Sequence, residues 1–110
     1  MTITQEVQSC IDACKSCAPI CRDCAKECEE MGGMDLCVKL CNDCSTICDQ
    51  HSAGLAKGDH SASASCISAC EACATECEKG ADHMDVCKAC AEACRACATA
   101  CRNADESMAR

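Results

Sequence analysis

Between residues 10 and 28 the chain places Cys10, Cys14, Cys17, Cys21, Cys24 and Cys28 at alternating intervals of four and three residues. The mean spacing of about 3.5 residues is that of inward positions on a helix packed against partner helices, so these thiols fall on one helical face. A helix rising ~1.5 Å per residue spreads them over roughly 27 Å. The pattern returns at Cys37, Cys41, Cys44 and Cys48, at Cys66, Cys70, Cys73 and Cys77, and at Cys87, Cys90, Cys94, Cys97 and Cys101. A chain with four such seams is all-α, and its seams carry sulfur where a bundle normally carries Leu and Ile.

The residues between the seams set the boundaries. Helices are expected over about 4–30, 35–54, 63–79 and 83–104, from cap and breaker residues. The first is capped by Thr2 or Thr4, is bent at Pro19, and ends before Gly32 and Gly33. Asp35 supplies a cap or first-turn carboxylate to the second. The longest connection lies between Asp49 and Ala64, with its turn from Gly58 to Ser63. Gly80 ends the third helix, Asp82 or a neighbour caps the fourth, and the fourth frays among Asn103, Asp105 and Glu106. Short first and third connections predict one up-down-up-down four-helix bundle with a cysteine-lined core, a single domain over residues 1–110.

Composition narrows the chemistry. The chain has no Phe, Trp or Tyr and eleven branched aliphatic residues, a thin core for four helices, against nineteen cysteines. Its formal charge of −8, without a basic stripe or aromatic platform, argues against nucleic acid or an anionic membrane as partner. The start, Met1 to Val7, has neither the basic nor the apolar region of an export signal, and no apolar run reaches membrane-spanning length. The expected location is therefore the cytosol, where thiols stay reduced. An odd cysteine count and the poor orientation of i,i+3 and i,i+4 neighbours also argue against a disulfide scaffold. Metal-bound thiolate is the expected state.

Thiolates select Cu(I), Zn(II), Cd(II) or iron–sulfur clusters. A Cu(I) ion that displaces a thiol proton leaves the core charge unchanged, whereas Zn(II) held by four thiolates leaves two negative charges buried. No seam position holds Lys or Arg to offset them. Cu(I) also accepts two thiolates, and with each sulfur shared by two ions the capacity is on the order of 15 to 20 ions. CxxxCxxC, as at Cys10-Cys14-Cys17, also occurs where radical enzymes hold an iron–sulfur cluster, but this chain is too short for their barrel. CxxC, as at Cys14-Cys17, serves thiol–disulfide exchange elsewhere, yet no βαβ pattern surrounds it, and no CxxC is followed by the His of haem attachment. The chain reads as a binding protein and not as an enzyme.

The two ends differ. Continuing the seams brings Met31, Met34, His83 and Met84 to the end that holds the first and third connections, where thioether and imidazole form a mouth that receives Cu(I). The plainer reading is that the methionines close the bundle as flexible core residues. Ile3, Val7, Leu55, Ala104 and Met108 form an apolar plug at the other end. Below it His51, three residues after Cys48, is read as structural, with ligation as the alternative, and His60 as a solvated turn residue.

The runs Cys10-Ile11-Asp12-Ala13-Cys14-Lys15-Ser16-Cys17, Cys70-Glu71-Ala72-Cys73-Ala74-Thr75-Glu76-Cys77 and Cys90-Ala91-Glu92-Ala93-Cys94-Arg95-Ala96-Cys97 resemble the bacterial copper storage proteins, in particular their cytosolic branch. The resemblance covers nearly the whole chain, from Cys10 to Cys101. It implies a four-helix bundle holding many Cu(I) ions along its axis, often as a homotetramer, with the seam cysteines as ligands and ions entering past Met31, Met34, His83 and Met84. The expected function is Cu(I) storage or detoxification, with a copper chaperone or a small-molecule thiol as donor. The alternatives are a metallothionein-like Zn(II) or Cd(II) buffer and a thiol redox enzyme.

Overall fold

The computed structural model describes residues 3–82 and 84–109. Four helices follow one another, α1 (Gln5–Met31), α2 (Asp35–Ala56), α3 (Ser63–Gly80) and α4 (Asp85–Ala109). They alternate in direction, and each packs along two others, α1 and α3 each lying against both α2 and α4. The bundle measures 45 × 19 × 17 Å. Its long axis is close to the ~40 Å that a 27-residue helix spans.

Local chemistry explains most of the boundaries. The Thr4 side chain caps α1 by accepting a hydrogen bond from the Val7 amide at 3.2 Å. Gly32 ends it at φ 77°, a left-handed conformation that Gly adopts without strain, while its amide bonds the Cys28 carbonyl. The helix runs through Pro19 without interruption. Pro19 lies on the exposed face, where water can satisfy the carbonyl that its ring leaves unpaired. Asp35 is a first-turn carboxylate on α2 and not its cap, which falls on Met34. At the end of α2 the amides of Lys57 and Asp59 both return to the Gly54 carbonyl.

Two boundaries differ from expectation. Gly80 belongs to α3, and α4 begins at Asp85, after the Met84 amide has bonded the Gly80 carbonyl, so Asp82 is an exposed turn residue. At its other end α4 continues to Ala109 where the sequence predicts fraying. Tertiary contacts hold this last stretch. Ala104 is buried, Met108 packs against the core, and the Ser63 hydroxyl on α3 sits 2.6 and 2.7 Å from the two carboxylate oxygens of Asp105.

All nineteen cysteines are buried, whereas only Val7, Ile11 and Leu55 represent the branched aliphatic residues among the fully buried side chains. The remainder of the core is Ala18, Ala25, Ala74, Ala91, Ala98 and Ala104, together with Ser45 and Ser52 beside the seam. Leu40 and Ile47 are half-buried and Leu36 is exposed. Charged residues cover the outside, with ion pairs from Arg22 to Asp49, Arg95 to Glu78 and Arg102 to Glu71 joining neighbouring helices. Exposed pairs of this kind contribute about 0–1 kcal/mol each, so packing along the axis is what holds the bundle.

Candidate metal centre

The seam spacing turns every cysteine side chain toward the axis, and the alternation of helix direction sets the four seams in register. From the end nearest Val7, Cys10 meets Cys101, with sulfurs 2.8 Å apart. Cys14 then lies 3.5 Å from Cys97 and 3.9 Å from Cys66. In the middle Cys94 is 3.7 Å from both Cys17 and Cys21 and 3.8 Å from Cys44, and Cys44 is 3.6 Å from Cys70. Farther along, Cys90 lies 3.6 Å from Cys21, and Cys41 lies 3.6 Å from Cys73 and 3.7 Å from Cys77. Cys48 reaches Cys66, Cys70 and Cys97 within 3.9 Å, and Cys24 reaches Cys28, Cys77 and Cys87 at that same distance. The last group comprises Cys28, Cys37 and Cys87, with 3.5 Å between the first two. Thiols 3.5–4 Å apart thus form one continuous column.

The column contains sets of four whose sulfurs all lie within 4.8 Å of one another, among them Cys14, Cys48, Cys66 and Cys97, then Cys17, Cys21, Cys44 and Cys94, and then Cys24, Cys28, Cys37 and Cys87. Grouping in fours is thus present in space although the sequence does not display it. A tetrahedral ion with bonds of about 2.3 Å to sulfur needs edges of about 3.8 Å, so these sets suit zinc geometrically. The sets overlap, however. Cys21 and Cys94 also belong with Cys73 and Cys90, and Cys17, Cys48, Cys70 and Cys97 form another set. Sulfurs shared between neighbouring sets are bridging positions, which suit a multinuclear thiolate array.

Electrostatics separates the candidate ions where geometry does not. Among the described residues the buried polar side chains are Ser45, His51, Ser52 and Ser63, with no Lys or Arg. Each four-thiolate zinc site would bury two uncompensated negative charges, and filling the three separate sets named above would bury about six. A monovalent ion exchanged for each thiol proton adds none. Burial itself resists ionisation of the metal-free thiols. Desolvation pushes Cys28 and Cys87 up to about 12 and Cys37 to about 11. At the other end hydrogen bonding from Cys101, Cys14 and His51 outweighs burial and holds Cys10 well below the usual thiol range. Burial would lower the His51 pKa, but the hydrogen bond to Cys10 and the charges of Cys66, Cys10 and Asp105 raise it above the ordinary imidazole value.

The two ends carry different donors. Gly80 joins the first and third connections, since a Cβ built there would lie 3.4 Å from Cys87 Sγ and 3.5 Å from Met34 Cε. Met84 Sδ is 3.9 Å from Cys87 Sγ, so Met34 and Met84, both half-buried, stand beside the last thiols. Met31 is 64% exposed and points away from this group. His83 lies outside the described residues. At the opposite end Val7, Leu55 and Ala104 are buried and Met108 is half-buried, forming the expected plug, while Ile3 remains exposed. His60 is exposed in its turn.

A second seam escaped the sequence reading. Ala18 and Ala25 in α1, Ser45 and Ser52 in α2, Ala74 in α3, and Ala91 and Ala98 in α4 are all buried, and within each pair the spacing is seven residues. Small side chains here let the backbones approach closely enough for sulfurs from four helices to touch. The Ser45 and Ser52 hydroxyls donate to the carbonyls of Asn42 and Asp49 in their own helix, so their burial leaves no polar group unpaired. The repeat of seven was the available signal.

Comparison with known families gives one match, in which the sequence model of the copper storage protein family aligns with residues 3–106. No curated protein matches the chain significantly.

Proposed function

The chain belongs to the copper storage protein family, and from that premise we propose that it takes up Cu(I) at high capacity into the thiol column and holds it as a store or detoxifying sink. The observation that carries this reading is the unbroken column of nineteen buried thiols with shared neighbours and no buried cation to balance divalent sites. Each Cu(I) displaces one thiol proton and sits between two or more sulfurs. Filling the column in this way adds no net charge and gives a capacity on the order of 15 to 20 ions per chain. No step in this chemistry needs turnover, so the protein is a store and not an enzyme. Free thiols in this number require a reducing compartment, which supports a cytosolic location.

Ions enter at the end where Met34 and Met84 flank Cys87, with His83 and the exposed Met31 as outer ligands that receive Cu(I) from a copper chaperone or a small-molecule thiol. Thioether and imidazole bind Cu(I) more weakly than thiolate, so transfer runs inward. The homotetramer implied by family resemblance would use the side of α2 that bears the exposed Leu36 beside Leu40 and Ile47.

A second reading, a Zn(II) or Cd(II) buffer, is favoured by one observation, the tetrahedral spacing within the thiol sets. Anaerobic competition separates the two. The protein is titrated with Cu(I) and Zn(II) together, thiol accessibility is followed, and bound metal is measured. Cu(I) in large excess over zinc, with all thiols protected, is the expected result. Preference for about four zinc ions would overturn the copper reading.

A further inference from the structure

His51 is the one buried side chain, among the described residues, that retains an unpartnered nitrogen. Its ring is 1% exposed, Nδ1 has no hydrogen-bond partner, and Nε2 lies 3.8 Å from Cys10 Sγ. Leaving a polar group buried and unpaired costs about 1–3 kcal/mol, and Leu or Ala would fill the same place in an apolar plug at no such cost. The ring is therefore poorly explained as packing. It stands over the terminal thiol pair, Cys10 and Cys101, where the column ends beneath Leu55 and Ala104.

The stoichiometry of a shared-thiolate column gives this position a purpose. In a run of alternating ions and bridging thiolates, an ion at the end has a sulfur on one side only. A further thiolate would complete its coordination at the cost of one unbalanced negative charge. A neutral donor completes it without that charge. The spacing is also suitable, because a trigonal ion with bonds of about 2.0 Å to nitrogen and 2.3 Å to sulfur sets those donors about 3.8 Å apart. The Cys10 and Cys101 sulfurs would have to part by about 1 Å to share the same ion.

The geometry points to a terminal mixed imidazole–thiolate site for a soft monovalent ion, formed by His51 Nε2 with Cys10 and Cys101 at the closed end of the column. It rests on the Cu(I) reading above and adds to it an anchor at the end away from the mouth. On binding, the ion takes the place of the Cys10 thiol proton, which leaves to the donor thiolate or to water, while neutral His51 contributes its Nε2 lone pair and keeps its proton on Nδ1.

The test uses the full-length protein with ¹⁵N-labelled histidine, loaded anaerobically with Ag(I), a soft monovalent ion whose nuclear spin splits the signal of a nitrogen bonded to it. The expected result is a split His51 Nε2 resonance at full loading, with exposed His60 unchanged as reference. In parallel, His51→Leu, which preserves the apolar volume, is expected to bind one Cu(I) ion fewer than the unmodified protein. A His51 signal that stays unsplit and unshifted while every thiol is consumed overturns the terminal site and leaves the storage reading intact. Failure of either ion to consume thiols overturns both. Should His51→Leu not fold, the labelled unmodified protein decides alone.

Discussion

Cys94 is the position at which packing and metal binding can be separated most cleanly. Its sulfur lies 3.7 Å from Cys17 and Cys21, 3.8 Å from Cys44 and 4.0 Å from Cys90, and it belongs to two of the overlapping sets of four. Cys94→Ala removes one buried heavy atom. The lost transfer free energy of about 0.8 kcal/mol and the residual cavity of one sulfur together predict a loss of about 1.5 kcal/mol in the metal-free protein. For a chain of this size that is a fall in Tm of about 6 °C, read by anaerobic thermal unfolding. Cys94→Val refills the space, so its stability differs from that of the Ala variant, but it supplies no ligand. Both variants should bind about one to two fewer Cu(I) ions, since one shared sulfur serves neighbouring ions. Undiminished capacity in both variants, or capacity restored by Val, would refute the argument that this sulfur is a bridging ligand.

Three further outcomes follow from the same structure. Between about pH 8.5 and 12 the buried Cys28, Cys37 and Cys87 hold protons that the unfolded chain has lost, so metal-free stability falls as pH rises through that window; anaerobic Tm against pH should show this, and the Cu(I)-loaded protein, with those protons displaced, should not. Changing Met31, Met34 and His83 together to Ala should slow Cu(I) uptake in stopped-flow measurements and leave final capacity nearly unchanged, whereas equal rates would place the mouth elsewhere. Ala98→Leu, which forces a large side chain into the seam of small residues, should destabilise the metal-free protein by about 1–3 kcal/mol in denaturant unfolding, and a neutral effect would remove the role assigned to that seam.

The cysteine column was legible because burial follows helical period, and the four seams leave one way to bury so much sulfur. Thr4 as a cap and Gly32 as a stop were likewise written locally. The end of α4 was not. Asn103, Asp105 and Glu106 have weak or end-favouring helix preferences, and what overrides them is the distant Ser63 meeting Asp105 together with the burial of Ala104. Ala18, Ala25, Ala91 and Ala98 passed unnoticed because alanine is also the default helix former, so its presence does not announce burial. The grouping of thiols in overlapping fours depends on the axial register between helices, which no single seam contains. The depth of His51 depends on the same register, because its place on the α2 seam was visible but the plug above it comes from three other segments.

The central claim is that sulfur lines the axis so that a monovalent soft ion can fill it. A crystal grown anaerobically with excess Cu(I), with data collected on both sides of the copper absorption edge, tests this directly. The account predicts a string of anomalous peaks along the axis between the seams, on the order of 15 to 20 per chain, continuing from beside Met84 to Cys10. Peaks confined to the outer surface, or thiols joined as disulfides around an empty axis, would contradict it.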